Sequence, residues 1–375
     1  MYPKEISIEK LEEKHPDVEY NQEVFTSIDD FYEGGQRLYN KRDHYVQRKP
    51  DEDKDVYKFR LEHFTYDPII SETINKLTTR MGASNYIVEG IPEKGETSSI
   101  WKDFRKDLDK AGMTENNFIE STFEKLIKYK RCYAVLDFPE EQDRPNVILY
   151  DPRHLIHYKE DGGKLKWVKI RQHEKEYHPF EDNKHYIKWT IIDDTYIVHY
   201  QSEVEYHKGE MAIPVKGEEQ GKVSLYKLED ILEEGSGAVT AVRLGEPVEH
   251  GWGEIPVCHI ELKDGLWVTN QAVWLMKEHI RLHNNQSCTA TLAGQIQRLF
   301  TPLQEKSDSS YDVEGERIKA GNEHILIGQN FKFNETQGSS VKTVQAYLDK
   351  IENRIKDLLF SRGISSDQIK PSQES

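Results

Sequence analysis

The chain has 375 residues, 31% of them charged, and 67 acidic against 51 basic side chains leave a net charge of −16. No run approaches the roughly eighteen apolar residues of a spanning helix, and the start Met1-Tyr2-Pro3-Lys4-Glu5 offers no apolar core for a leader, so a soluble chain of the intracellular type is expected. The acidic balance argues against a protein that grips nucleic acid by neutralising phosphates, but not against a surface past which DNA slides.

The length predicts two or three domains. The apolar fraction of 36% lies below the roughly 45–50% usual for globular chains, so the surface must be large, as in an elongated protomer or a subunit of an assembly. Disorder is not expected, because 20 Tyr, 13 Phe and 6 Trp can anchor cores. Cys132, Cys258 and Cys288 lie far apart, which supports neither a disulfide framework nor a zinc knuckle.

The first sixty residues are highly charged and punctuated by Gly34-Gly35 and by the stretch from Lys49 to Asp55, and they read as short helices on a surface arm. Tyr57, Leu61 and Phe64 then form one helical stripe, and after Pro68 the series Ile70, Ile74, Leu77 and Met81 forms a second. A third helix is predicted from about Glu115 to Tyr129, with Phe118, Ile119, Phe123, Leu126 and Ile127 on one face. Between Arg131 and Leu262 the period shifts towards two, in Tyr133–Phe138, Asn146–Tyr150, Leu165–Ile170, His185–Ile192, Tyr196–Tyr200 and Val223–Leu228. Turn signals at Asp161-Gly162-Gly163 and Asp193-Asp194 make this a meandering antiparallel region. Alternation around Tyr196–Tyr200 suggests strands covered on both faces, hence a packed sheet or a small barrel instead of one open sheet. From Trp267 to about Arg298 a long helix is predicted, apolar at Trp267, Trp274, Met276 and Ile280 and polar at Asn284-Asn285-Gln286-Ser287. After a mixed stretch, Ser339 opens a second strong helix through Val344, Leu348, Ile351, Ile355 and Leu358, followed by a polar tail.

Catalytic signatures fail one by one. Gly162-Gly163-Lys164-Leu165 has leucine where a phosphate-binding loop needs a metal-binding hydroxyl, so it reads as a hairpin turn. Gly235-Ser236-Gly237-Ala238-Val239-Thr240 lacks the third glycine of a dinucleotide fingerprint and reads as a linker. His279 and His283 share a helical face, yet Ile280 stands where a metalloprotease carries its glutamate, so two half-exposed histidines beside an interhelical contact are expected. His154 with His157, and His173 with His178, have no neighbouring cysteine ligands, and no Gly-x-Ser-x-Gly elbow exists. Glu229-Asp230 and Glu233-Glu234 read as a solvated face. No enzyme, cofactor or metal is expected.

Two stretches are more specific. Ile28-Asp29-Asp30-Phe31-Tyr32-Glu33-Gly34 leads to Tyr57-Lys58-Phe59-Arg60-Leu61-Glu62-His63-Phe64 and the helix after it. Gly253-Glu254-Ile255-Pro256-Val257-Cys258-His259-Ile260 leads to the helix bearing His283-Asn284-Asn285-Gln286-Ser287. Together, over most of the chain from about residue 25, they resemble the portal proteins of tailed bacteriophages, including a divergent cyanophage-like branch.

That resemblance implies an α+β, portal-type protomer with a mixed α/β wing, two long stem helices and a small clip. It implies an N-terminal arm and outer wing over 1–66, the wing over 67–265, a first stem helix over 266–296, a clip over 297–338, a second stem helix over 339–362, and the start of a tunnel loop or tail over 363–375. The family's crown is expected to be absent or truncated. The implied role is a structural subunit of a ring, a dodecamer in the virion, at the portal vertex of the capsid, with assembly in the host cytoplasm. Its implied partners are a terminase motor, a head-tail adaptor, the major capsid protein and double-stranded DNA in transit, with no membrane. Another head-tail or minor capsid protein is the alternative, and a nucleic-acid-modifying enzyme with a non-contiguous site a further one.

On the residues themselves, the subunit contact is expected at Trp267, Trp274, Met276 and Ile280, because two indoles on one stripe are poorly left in water. Channel or clip cations are expected at Arg298, Lys306, Arg317, Lys319, Lys342, Lys350, Arg354 and Lys356, which alternate with acids so that the local field nearly cancels.

Overall fold

The computed structural model describes residues 2–50, 52–83, 96–137, 145–177, 183–207, 210–216, 223–227, 240–263, 265–293, 298–300, 326–327, 332–333 and 339–360. In chain order the elements are β1 (Glu5–Ser7), α1 (Ile8–Glu12), α2 (Pro16–Tyr20), α3 (Gln22–Glu33), α4 (Gly35–Asn40), α5 (Arg42–Tyr45), α6 (Lys54–Glu62), α7 (Ile69–Gly82), α8 (Glu96–Lys106) and α9 (Glu115–Tyr129). There follow β2 (Arg131–Asp137), β3 (Asn146–Tyr150), β4 (Leu155–Asp161), β5 (Lys164–Glu176), β6 (Lys184–Asp193), β7 (Tyr196–His207), β8 (Glu210–Lys216), β9 (Val223–Lys227), β10 (Thr240–Glu249) and β11 (Val257–Glu261). The last elements are α10 (Thr269–Ala293), β12 (Arg298–Phe300), β13 (Leu326–Ile327), β14 (Lys332–Phe333) and α11 (Ser339–Phe360). The class is α+β, with sheets that are antiparallel apart from the β12–β13 pair. The chain divides into two compact units, Met1–Thr26 with Lys76–Trp267, and Ser27–Asn75 with Val268–Ser375. Residues 27–75, expected in the arm and wing, therefore cluster with the long helices.

In the first unit an eight-stranded sheet runs β1-β10-β7-β6-β5-β4, with β8 beside β7 and β9 beside β8. Its hairpins form where the turn chemistry demands. Asp161 pairs with Lys164 across Gly162 and Gly163, at φ +59 and +78, and the two-residue turn that matches strand twist needs positive φ at both positions. At the β6–β7 turn the Asp193 carboxylate accepts the Thr195 N–H at 2.8 Å and the Tyr196 N–H at 2.5 Å. Alternation then sorts side chains between faces. Ile187, Trp189, Val198, Tyr200 and Val204 pack with Ile8 and Leu11 on one side. Val168, Ile170 and Ile192 pack on the other with Tyr133, Val135 and Tyr150 from the small sheet β11-β2-β3. Both faces are thus covered as expected, but the barrel is corrected: the described sheet is open, its path ending at β1 and β4.

The surface arm is also corrected. Ile8, Leu11, Val18, Phe25, Ile28, Phe31, Leu38, Tyr45 and Val46 are all buried. Each short helix contributes only one to three apolar residues, which is why average composition hides them. Even Glu12 is buried, accepting from Arg171 Nε at 2.7 Å and from the Trp189 indole at 3.0 Å. Helix α9 begins at Thr114, whose hydroxyl accepts the Asn117 N–H at 3.3 Å, and ends at Lys130 with φ +71. Strands β4 and β10 carry no strong period and are visible only in the structure, while helix α8 is amphipathic but is not among the expected elements. The Gly235–Val239 linker, His178, Glu229-Asp230, Glu233-Glu234 and the 363–375 tail lie outside the described residues.

Candidate functional site: the paired long helices

Helix α10 buries Ala272, Val273, Met276, Ile280 and Cys288, and α11 buries Leu348, Ile351, Ile355 and Leu359, each at intervals of one face. The two helices pack together within the second unit. Gln286 Nε2 donates to Gln345 Oε1 at 2.9 Å, while His279, two turns earlier, is within the field of Asp349 and Glu352. Descending α10 therefore means ascending α11, and the pair is antiparallel. Between them in sequence, β12 pairs parallel with β13 and antiparallel with β14.

The polar run in α10 is no exposed patch. Asn284 is buried and donates Nδ2 to the Arg60 carbonyl at 3.2 Å. Asn285 Oδ1 accepts from Arg60 Nη1 at 3.0 Å. The buried guanidinium also reaches the Gln47 carbonyl at 2.8 Å and Glu52 Oε2 at 2.6 Å. Burial alone would raise the Glu52 carboxyl, but its bonds to Arg60 and to the Lys49 N–H hold it below its ordinary value. Arg60 lies three residues after Tyr57 on the apolar stripe of α6, and that was the sequence signal of its burial.

His279 is fully buried, which corrects the half-exposed reading, whereas His283 is partly open. Their rings stack with centroids 5.9 Å apart, and Asp67 Oδ2 lies 3.8 and 3.9 Å from the two Nε2 atoms. Burial pushes the His279 imidazole below its ordinary pKa, against the pull of Asp67 and, more weakly, of Glu352 and Asp349. Among the described residues no group of three or more His, Cys, Asp or Glu is arranged to hold a metal ion, and no helix is long and apolar enough to cross a membrane.

The stretch around Asp30 forms a second polar knot in the same unit. Its buried carboxylate accepts from Arg37 Nε at 2.6 Å, Lys41 Nζ at 2.9 Å and the Tyr45 hydroxyl at 2.8 Å. Burial would raise Asp30, and these three partners bring it below its ordinary value. Gly34, at φ +58, caps α4 where a Cβ would strike the Tyr66 hydroxyl, which accepts the Gly35 N–H at 2.7 Å.

The four expected contact residues do not share an outward stripe. Trp267 precedes α10 and is buried in the first unit, donating its indole N–H to the Lys128 carbonyl at 3.1 Å and lying 5.8 Å from Phe25. Met276 and Ile280 are buried within the second unit. Seven-residue spacing puts two side chains on one face only inside a helix, and this helix starts at Thr269. Trp274 alone faces outward, 55% exposed, with the Lys277 ammonium 4.4 Å above its ring. Of the expected cations, Lys342, Lys350 and Arg354 are exposed on α11, and Lys356 is half-buried and paired with Glu352. Arg298 lies in β12, and Lys306, Arg317 and Lys319 fall outside the described residues.

No protein-family model matches the chain, and no curated protein does. Among solved structures, a chain in the virion of a native gene transfer agent (GTA) particle is similar at TM-score 0.35 and 11% identity, over 86% of this chain and 74% of that one. A chain in the neck of an empty GTA particle, computed with C6 symmetry, is similar at TM-score 0.36 and 12% identity, over 86% and 73%. Both likenesses are weak, and no function follows from either.

Proposed function

We propose that the chain is a structural, ring-forming subunit of the portal type, lining a channel through which a viral genome is packaged and ejected. The observation that carries this reading is the antiparallel pair of α10 and α11, separated in sequence by a small three-stranded sheet. That is the stem, clip and stem order implied by the resemblance. Further support comes from Arg60 and Asn285, which join the two sequence stretches on which the resemblance rests.

On this reading the apolar seam between the helices makes a stiff strut and the outward faces meet neighbouring copies and the channel. A net charge of −16 per chain makes the ring strongly acidic, which suits a wall that moving DNA must not grip. Cations on α11 are interleaved with Asp349, Glu352 and Asp357, so counterion release on DNA entry is small. A separate motor supplies the work, an adaptor docks below, and the surrounding shell holds the ring at one vertex of the virion. The subunit itself performs no catalysis. Sedimentation of the purified chain should show a discrete high-mass assembly without nucleotide turnover. ATPase or nuclease activity abolished by one point substitution would overturn this reading.

A further inference from the structure

The first unit carries an apolar stripe that none of the preceding roles uses. Val242, Leu244 and Val248 on β10 are 56, 42 and 47% exposed, and Trp252 just beyond is 42% exposed. Register places them together. Leu244 pairs with His199 and Val248 with Ile197, on the sheet face whose core contains Ile192, so the stripe continues a covered face outward into solvent. From Val242 to Val248, at roughly 3.3 Å per residue, it is at most 20 Å long, or between three and four turns of helix.

Its surroundings are mostly acidic. From Lys188 to His207 and from Val242 to Leu262, the segments forming this part of the sheet and its loop, eight carboxylates stand against two cations, Lys188, which pairs with Glu174, and Arg243, which pairs with Glu246. Glu5, the strand partner of Val242, is exposed on the stripe's own face, Glu254 is exposed beside Trp252, and Asp194 is exposed at the turn before Tyr196, whereas Glu249, opposite Tyr196, points to the other face. The strand edge itself is guarded. Strand β1 pairs with β10 only at Thr240–Val242, and beyond it the register shifts between Leu244 and Val248, where Gly245 has φ +68 and Pro247 has no N–H to offer. An added strand is therefore disfavoured, and a partner must bring side chains.

We propose that this stripe docks a cationic amphipathic helix of another protein, its apolar face on Val242, Leu244, Val248 and Trp252 and its Lys or Arg side chains against Glu5, Asp194 and Glu254. A second copy presenting the same face is the less fitting occupant, because it would set these exposed carboxylates against their own kind. The stripe lies wholly within the first unit, so the proposal stands apart from the ring.

The test titrates the full chain, at physiological salt, with an eighteen-residue Leu/Lys peptide having one apolar helical face. A scrambled peptide of the same composition and a Leu/Glu analogue serve as comparisons, and binding is followed by calorimetry. The faced Leu/Lys peptide should bind at least tenfold more tightly than either comparison. A Leu244→Asp/Val248→Asp variant should lose at least tenfold, and a Glu5→Gln/Glu254→Gln variant should lose severalfold with a flatter salt dependence. Unchanged affinity in a folded Leu244→Asp/Val248→Asp variant, or equal binding of the scrambled peptide, would overturn the proposal. So would sedimentation in which that variant converts an assembly into single chains, since a second copy would then be the occupant. If circular dichroism shows that the aspartates unfold the chain, the glutamine variant decides alone, because it alters only exposed charges.

Discussion

Arg60 and Asn285 stand 225 positions apart in sequence and 3.0 Å apart in space, the guanidinium of α6 seated on the side-chain carbonyl of α10. With Glu52 and the Gln47 carbonyl on its other nitrogen, Arg60 fastens α6 and the segment before it to α10. Removing a partner from a buried ion pair leaves the other charge uncompensated. Arg60→Ala should therefore destabilise the second unit by about 3–5 kcal/mol, whereas Asn285→Ala, which removes one hydrogen bond to a charged donor, should cost about 1.5–3 kcal/mol. Urea melts of both variants against the parent check the ranking.

The two indoles make a paired prediction. Trp267 is buried and hydrogen-bonded, so Trp267→Ala should cost about 3–5 kcal/mol. Trp274→Glu, at an exposed helical position, should leave the circular dichroism spectrum and the melting temperature nearly unchanged while shifting assembly in sedimentation. Loss of fold in Trp274→Glu would mean that its ring is needed within the chain.

Acid should unfold the chain in an unusually mild range. His15, His157, His173, His199, His259 and His279 are all depressed, in each case first by burial. A histidine whose folded pKa lies below its unfolded value of about 6.5 binds protons less readily when folded, so its contribution is complete above pH 6.5 and declines as pH falls below that value. The depressed carboxylates Asp30, Glu52 and Asp193 lose their contribution only on stronger acidification. Melting temperature should be flat above pH 7 and fall between pH 6.5 and 5, and His279→Leu should blunt that fall. A melting temperature unchanged down to pH 5 would contradict this.

Much of the fold was readable from period and punctuation. The helix from Glu115 to Tyr129, the strand from Asn146 to Tyr150 and the turn at Gly162-Gly163 fall where the pattern puts them, because each has a cap, an alternation or a paired glycine that local physics dictates. The arm misread as surface was hidden for a physical reason: the buried anchors Ile8, Leu11 and Val18 are widely spaced among charges, and short helices lack the length over which a period shows. At the site, Asn284 and Asn285 read only as a polar middle of the helix, and their burial against Arg60 was hidden because that partner is remote in sequence. The separation of Trp267 from Trp274 depended on where the helix begins, which side-chain spacing alone does not fix.

Duplex DNA should bind free chains weakly and with a shallow dependence on salt, since Lys350 and Arg354 are interleaved with Asp349, Glu352 and Asp357 and Lys356 is already paired. Fluorescence anisotropy with a labelled duplex across a salt series measures this. Sub-micromolar affinity at physiological salt with a steep slope would reveal a binding groove and end the passive-conduit account.

The central claim is that copies of this chain close into a ring. Electron microscopy of the purified protein, with class averages taken along the particle axis, tests it most directly. The account predicts rotationally symmetric rings with a central opening. Single chains that persist at every concentration, or assemblies without a central opening, would contradict it.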